Sequence, residues 1–140
     1  MRPRLKRSEF AVAVDRDGRV AAERGAPVHV GHEWTAEHLL LAALAPCSLA
    51  ALSYHARRRG LWVQASAKAY GAVGRREDGE WSFTQIDCAV DVRFDPTPED
   101  SGDLLARAEH GCFVGRSLDP RPQYAWSVNG EPATARAAPS

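Results

Sequence analysis

The sequence predicts an α+β fold, with an antiparallel sheet and one long core helix, and three observations lead there. Residues 35–60 hold an apolar run that reads as a single helix, because no charged residue stands between His38 and His55. Stretches on both sides of it alternate apolar and polar residues with the period of two that marks a half-buried strand. Strands and helices fall in separate runs along the chain, which favours an antiparallel sheet over βαβ units.

The elements follow in order. Phe10-Ala11-Val12-Ala13-Val14 reads as a strand, and Asp15-Arg16-Asp17-Gly18 as the turn of a hairpin that returns through Arg19–Ala22. Val28–Val30 is a third short strand, stopped by Gly31. The long helix comes next. Thr35 can cap it, Glu37 meets the positive end of its dipole, Arg57, Arg58 and Arg59 suit the other end, and Gly60 can close it in a left-handed turn. Gln64–Val73 is an Ala-rich strand, and Asp78-Gly79 a turn. Trp81–Phe94 carries the clearest alternation: Ile86, Cys88, Val90, Val92 and Phe94 on one face, Asp87, Ala89, Asp91 and Arg93 on the other. Thr97 and Pro98 read as the entrance of a short helix around Leu104, Leu105 and Ala108, ending near Gly111. Tyr124, Trp126 and Val128 mark a last strand.

A length of 140 residues suits one domain, with 1–7 and 132–140 as flexible ends. Net charge is zero, so bulk electrostatics call for neither nucleic acid nor an anionic membrane. The uncharged helical run is 16 residues, short of the roughly 20 that span a bilayer. A helix apolar on every side is then one that protein encloses. No targeting segment is visible, and three cysteines make a poor disulfide framework, so a reducing cytoplasm is expected.

The cysteines sort by context. Cys88 lies on the apolar face of its strand and reads as an inert core thiol. Cys47 follows Pro46, which removes a backbone hydrogen bond from the middle of the helix. Cys112 follows a helix end and begins a Gly-bracketed segment, where backbone N–H groups favour a thiolate.

Three features together resemble the OsmC/Ohr family, the osmotically inducible protein C and organic hydroperoxide resistance proteins. They are the helix with Glu37 ten residues before Cys47, the run Ala108-Glu109-His110-Gly111-Cys112 followed by Arg116-Ser117-Leu118, and the turn Asp15-Arg16-Asp17-Gly18-Arg19. The resemblance covers Phe10 to Val128. It implies an OsmC-like fold, antiparallel sheets wrapped around the long helices of an intertwined homodimer. It also implies a thiol-dependent peroxidase that takes a small organic hydroperoxide, needs no metal or organic cofactor, and is recycled by an external dithiol reductant. Cys47 matches the peroxidatic cysteine, Cys112 the resolving one, Arg16 (with Arg19 second) the activating arginine, and Glu37 the glutamate that holds it. Two residues depart from the family pattern: Phe113 stands where proline is common, and Pro46 precedes Cys47.

Ten residues of continuous helix separate Glu37 from Cys47 by about 15 Å, so Glu37 would serve the Cys47 of a partner subunit. The expected chemistry is attack by the Cys47 thiolate, a sulfenic acid, and a Cys47–Cys112 disulfide. Three other readings stand beside it. One is a non-catalytic small-molecule-binding protein on the same scaffold. Another is a zinc site using Cys47 or Cys112 with His29, His32, His38, His55 or His110, which lacks ligand spacing such as C-x₂-C. The last is a Cys-His hydrolase, with no local signature.

Overall fold

The computed structural model describes residues 7–136 and divides into two compact units, one ending at Ala36 and one beginning at Glu37. The first unit is a three-stranded antiparallel sheet: β1 (Val12–Val14), β2 (Arg19–Ala22) and β3 (Val28–His29). Its β1–β2 turn is specified by side chain and backbone alike. Asp15 Oδ1 accepts from the N–H groups of Asp17 and Arg19 at 2.9 and 3.0 Å, and Gly18 adopts φ +84°. A Cβ on Gly18 would also stand 2.5 Å from the Val30 carbonyl oxygen, so the turn demands glycine twice over.

Helix α1 (Ala36–Arg58), which belongs to the second unit from Glu37 on, stays helical through Pro46. Pro46 is exposed, so the backbone group it leaves unpaired lies near water. The buried residues Leu44, Ser48, Leu52 and Ala56 recur every fourth position and form one stripe. The expectation of a helix enclosed on every side therefore holds only for this stripe within the chain; Leu39 and Tyr54 are exposed. By length and composition α1 could cross a membrane, yet its stripe belongs to the core of this unit.

A four-stranded sheet of order β4-β5-β6-β7 packs beneath it, with β4 at Trp62–Arg75, β5 at Trp81–Asp95, β6 at Gln123–Val128 and β7 at Glu131–Ala133. The inward face of β5 is Ile86, Cys88, Val90, Val92 and Phe94, the set its alternation predicts. The sheet is mixed, not wholly antiparallel, because β6 runs parallel to β5. Parallel neighbours need a crossover. Here it is α2 (Gly102–Gly111) followed by the single turn α3 (Phe113–Arg116), which the sequence did not announce. Buried Leu104, Leu105 and Ala108 fix α2 in the core.

Two further boundaries differ from expectation. Thr97 does not cap α2, since its hydroxyl accepts from Asn129 Nδ2, and the helix starts after Ser101. The expected flexible end from Pro132 begins inside β7, and the Arg136 N–H donates to the Gly102 carbonyl. Residues 1–6 and 137–140 of the expected flexible ends lie outside the described residues.

Candidate functional site

Cys47 and Cys112, 65 positions apart, meet under α1. Cys47 lies three residues past Leu44, at the edge of the buried stripe, so its thiol is half-buried. It lines a cleft of about 440 Å³ with Ala50, Ala51, Tyr54, His55, Gly111 and Phe113. Cys112 stands at the junction of α2 and α3 and is wholly buried. The crossover carries it there, which is why two distant stretches of sequence share one pocket. Both thiols are free, and Gly111 and Phe113, the residues on either side of Cys112, line the cleft with Cys47.

The turn α3 borders both cysteines, Phe113 lining the Cys47 cleft and Gly115 lying against Cys112. Burial pushes the Cys47 thiol above its ordinary value, only partly opposed by the N–H groups of Val114 and Phe113, and the Cys112 neighbour pushes it further up. Burial also works against charge on Cys112. There the Ser48 hydroxyl, the Gly115 N–H, the Cys47 thiol and the Tyr124 hydroxyl outweigh it and hold the thiol below its usual value. Within one chain the surroundings therefore favour charge on the buried sulfur over the half-buried one.

Ser48 joins the thiols. Its hydroxyl donates to the Leu44 carbonyl at 2.9 Å, and its oxygen lies 3.5 Å from Cys112 Sγ and accepts from the Cys88 thiol at 3.9 Å. Cys88 is buried as expected, with burial pushing its thiol up, but it borders this polar pocket and is not isolated in hydrocarbon. The β5–β6 register pairs Cys88 with Tyr124, placing the tyrosine on the same inward face. Ser48 and Tyr124 were not singled out from sequence. Ser48 follows Cys47 with no motif around it, and Tyr124 reads there only as one step of a strand alternation.

The other expected site residues lie each within its own unit. Glu37 is in the first turn of α1, and the continuous helix keeps it about 15 Å from Cys47 of the same chain. Arg16 and Arg19 are exposed, at the β1–β2 turn of the first unit. His55 is the histidine that lines the cleft, and burial followed by Arg107, Arg58 and Arg59 pulls its pKa below the usual value, so it favours the neutral ring. Among the described residues no group of three or more His, Cys, Asp or Glu is arranged to hold a metal ion.

The OsmC-like protein family matches residues 29–127, which is more than half of the chain and includes both cysteines. The chain belongs to the OsmC-like family. Solved structures agree on the fold of this OsmC-like chain. An OsmC-like protein of unknown function from Vibrio cholerae superposes with a TM-score of 0.69 at 16% identity, covering 87% of this chain and 99% of the other. An organic hydroperoxide resistance protein from Elizabethkingia anophelis gives 0.61 at 15% identity, covering 95% and 99%. The organic hydroperoxide resistance protein OhrB of Bacillus subtilis gives 0.55 at 15% identity, covering 86% and 96%. No curated protein matches the sequence.

Proposed function

We propose that this OsmC-like protein is a cytoplasmic, thiol-dependent peroxidase that reduces organic hydroperoxides at Cys47. One observation carries the reading: a half-buried thiol opens onto an apolar cleft walled by Gly111 and Phe113, the two neighbours in sequence of a second, wholly buried thiol. A hydroperoxide can reach the first sulfur and not the second, so attack and resolution fall to Cys47 and Cys112 respectively. Membership in a family that includes hydroperoxide resistance proteins agrees with this.

The Cys47 thiolate attacks the terminal peroxide oxygen, the O–O bond breaks, and an alcohol leaves once it takes a proton. Cys47 is then a sulfenic acid. The Cys112 thiolate attacks that sulfur, the S–O bond breaks, and water leaves, giving a Cys47–Cys112 disulfide. An external dithiol returns both thiols and is itself oxidised. Because burial disfavours charge on Cys47, the first step needs a cation. Arg16 is our choice, with Arg19 second, held in the family manner by Glu37 within a homodimer. An arginine stays protonated at every working pH and offers several donors. The exposed apolar side chains of α1 give a second copy something to cover. No metal or organic cofactor takes part.

The test is to treat the reduced protein with cumene hydroperoxide and map cross-links by mass spectrometry. The expected result is alcohol release with a Cys47–Cys112 link that disappears in Cys47→Ser, and a persistent sulfenic acid in Cys112→Ser. A protein that releases no alcohol and stays reduced would overturn the peroxidase. The second reading, a small-molecule-binding protein, would then stand, favoured by the same apolar cleft and by the raised Cys47 thiol.

A further inference from the structure

The Tyr124 hydroxyl is the one buried side-chain nitrogen or oxygen among the described residues that finds no hydrogen bond of ordinary geometry. Buried hydroxyls are seldom left so, because the water they give up has to be replaced. Its surroundings are nonetheless shaped to admit it. Gly115 lies against it, and a Cβ there would stand 2.6 Å from Tyr124 Oη and 3.4 Å from Cys112 Sγ. The missing side chain is what lets oxygen and sulfur share that corner.

The proton inventory of the pocket explains the orphan. Ser48 has one hydroxyl proton; here it goes to the Leu44 carbonyl, and it serves a Cys112 thiolate only by turning away from that carbonyl. The Ser48 oxygen accepts from Cys88 and lies within reach of a Cys112 S–H. While Cys112 is a neutral thiol, Tyr124 faces a weak sulfur acceptor. Once Cys112 loses its proton, the sulfur becomes a charged acceptor and the tyrosine hydroxyl gains a strong partner. The pocket is incomplete around the thiol and complete around the thiolate.

We infer that Tyr124 is a positioning residue for Cys112, its hydroxyl holding that sulfur as a thiolate in both the making and the breaking of the Cys47–Cys112 bond. The inference rests on the peroxidase reading above and deepens it. In the forward step the Cys112 electron pair forms the S–S bond, the Cys47 S–O bond breaks, and hydroxide leaves and is protonated to water. In the reverse step a thiolate of the external dithiol attacks the accessible Cys47 sulfur, and Cys112 departs with the electron pair of the broken S–S bond. A leaving thiolate that is already stabilised leaves faster. Tyr124 donates a hydrogen bond throughout and keeps its own proton, for burial and the nearby thiols push its pKa above the usual value.

Other titratable groups border the same corner. Cys47 on α1 and Cys88 on β5 face Cys112 directly. Tyr124 also borders a second cleft, lined by Glu109, His110, Arg116, Arg121 and Arg136. Glu109 there accepts from the Trp126 indole N–H at 2.7 Å. Removing the Tyr124 hydroxyl leaves all of these in place.

The experiment uses the full chain and Tyr124→Phe. Each reduced protein is mixed with one equivalent of cumene hydroperoxide. The Cys47 sulfenic acid is trapped with dimedone, and disulfide formation is followed by rapid acid quench and mass spectrometry across pH. In Tyr124→Phe the sulfenic acid should persist about tenfold longer, and the pH midpoint of disulfide formation should rise by about one unit, as expected for one lost donor to a thiolate. If Tyr124→Phe fails to fold, 3-fluorotyrosine at position 124 keeps the shape, makes the hydroxyl a stronger donor, and should move the midpoint down. A sulfenic acid with unchanged lifetime and unchanged midpoint overturns the inference while the peroxidase stands. No sulfenic acid in either protein overturns the peroxidase reading and this inference with it.

Discussion

Phe113 stands at the first position of α3, and its N–H is one of the two amides that favour charge on Cys47. Proline, the residue expected there from the family, suits the first position of a helix but has no N–H to give. Phe113→Pro should therefore keep α3 while raising the Cys47 thiol further. We expect oxidation of Cys47 by cumene hydroperoxide at neutral pH to slow by about threefold to tenfold, the loss of one donor to a thiolate, with Phe113→Ala as the comparison. Stopped-flow measurement of the reduced variants checks it. At this scale the pairing of Cys47 with Cys112 was legible through the family resemblance; their contexts, one after a mid-helix proline and one between glycines, set them apart from Cys88 but did not by themselves link them. Ser48 and Tyr124 were not legible, since what gives them meaning is a hydroxyl proton already committed and a neighbour without a side chain.

Helix α1 was legible as an element because a charge-free run with basic residues at its end can be little else. Its buried stripe was not, because composition alone cannot say which face of an all-apolar helix the chain itself covers. Leu52 is wholly buried in that stripe, so Leu52→Ala should cost about 2–5 kcal/mol in a urea titration, the usual range for a core cavity. The direction of β6 was hidden for a different reason. Alternation of Tyr124, Trp126 and Val128 identifies a strand, but its partner and sense are set by pairing with β5 across the crossover. Thr97 shows the same limit. It has the chemistry of a cap, and Asn129 takes it instead.

The whole molecule consists of a small sheet with a tightly specified turn and a larger unit that contains both site cysteines. The first exposes Phe10, Val12, Val14 and Val28, and the second exposes Tyr54, Trp62, Tyr70 and Trp81. These exposed side chains are ones a second copy could cover in the homodimer we propose. Cys47 and Cys112 also lie at the two ends of a long stretch of chain that contains β4, β5 and α2. Joining them would tether that entire stretch in the unfolded ensemble, an entropic restraint of about 4 kcal/mol for a loop of this length. The oxidised protein should consequently melt at a higher temperature than the reduced one in calorimetry. Each turnover would then alternate a looser molecule with a stapled one, and thermal resistance itself would report the redox state.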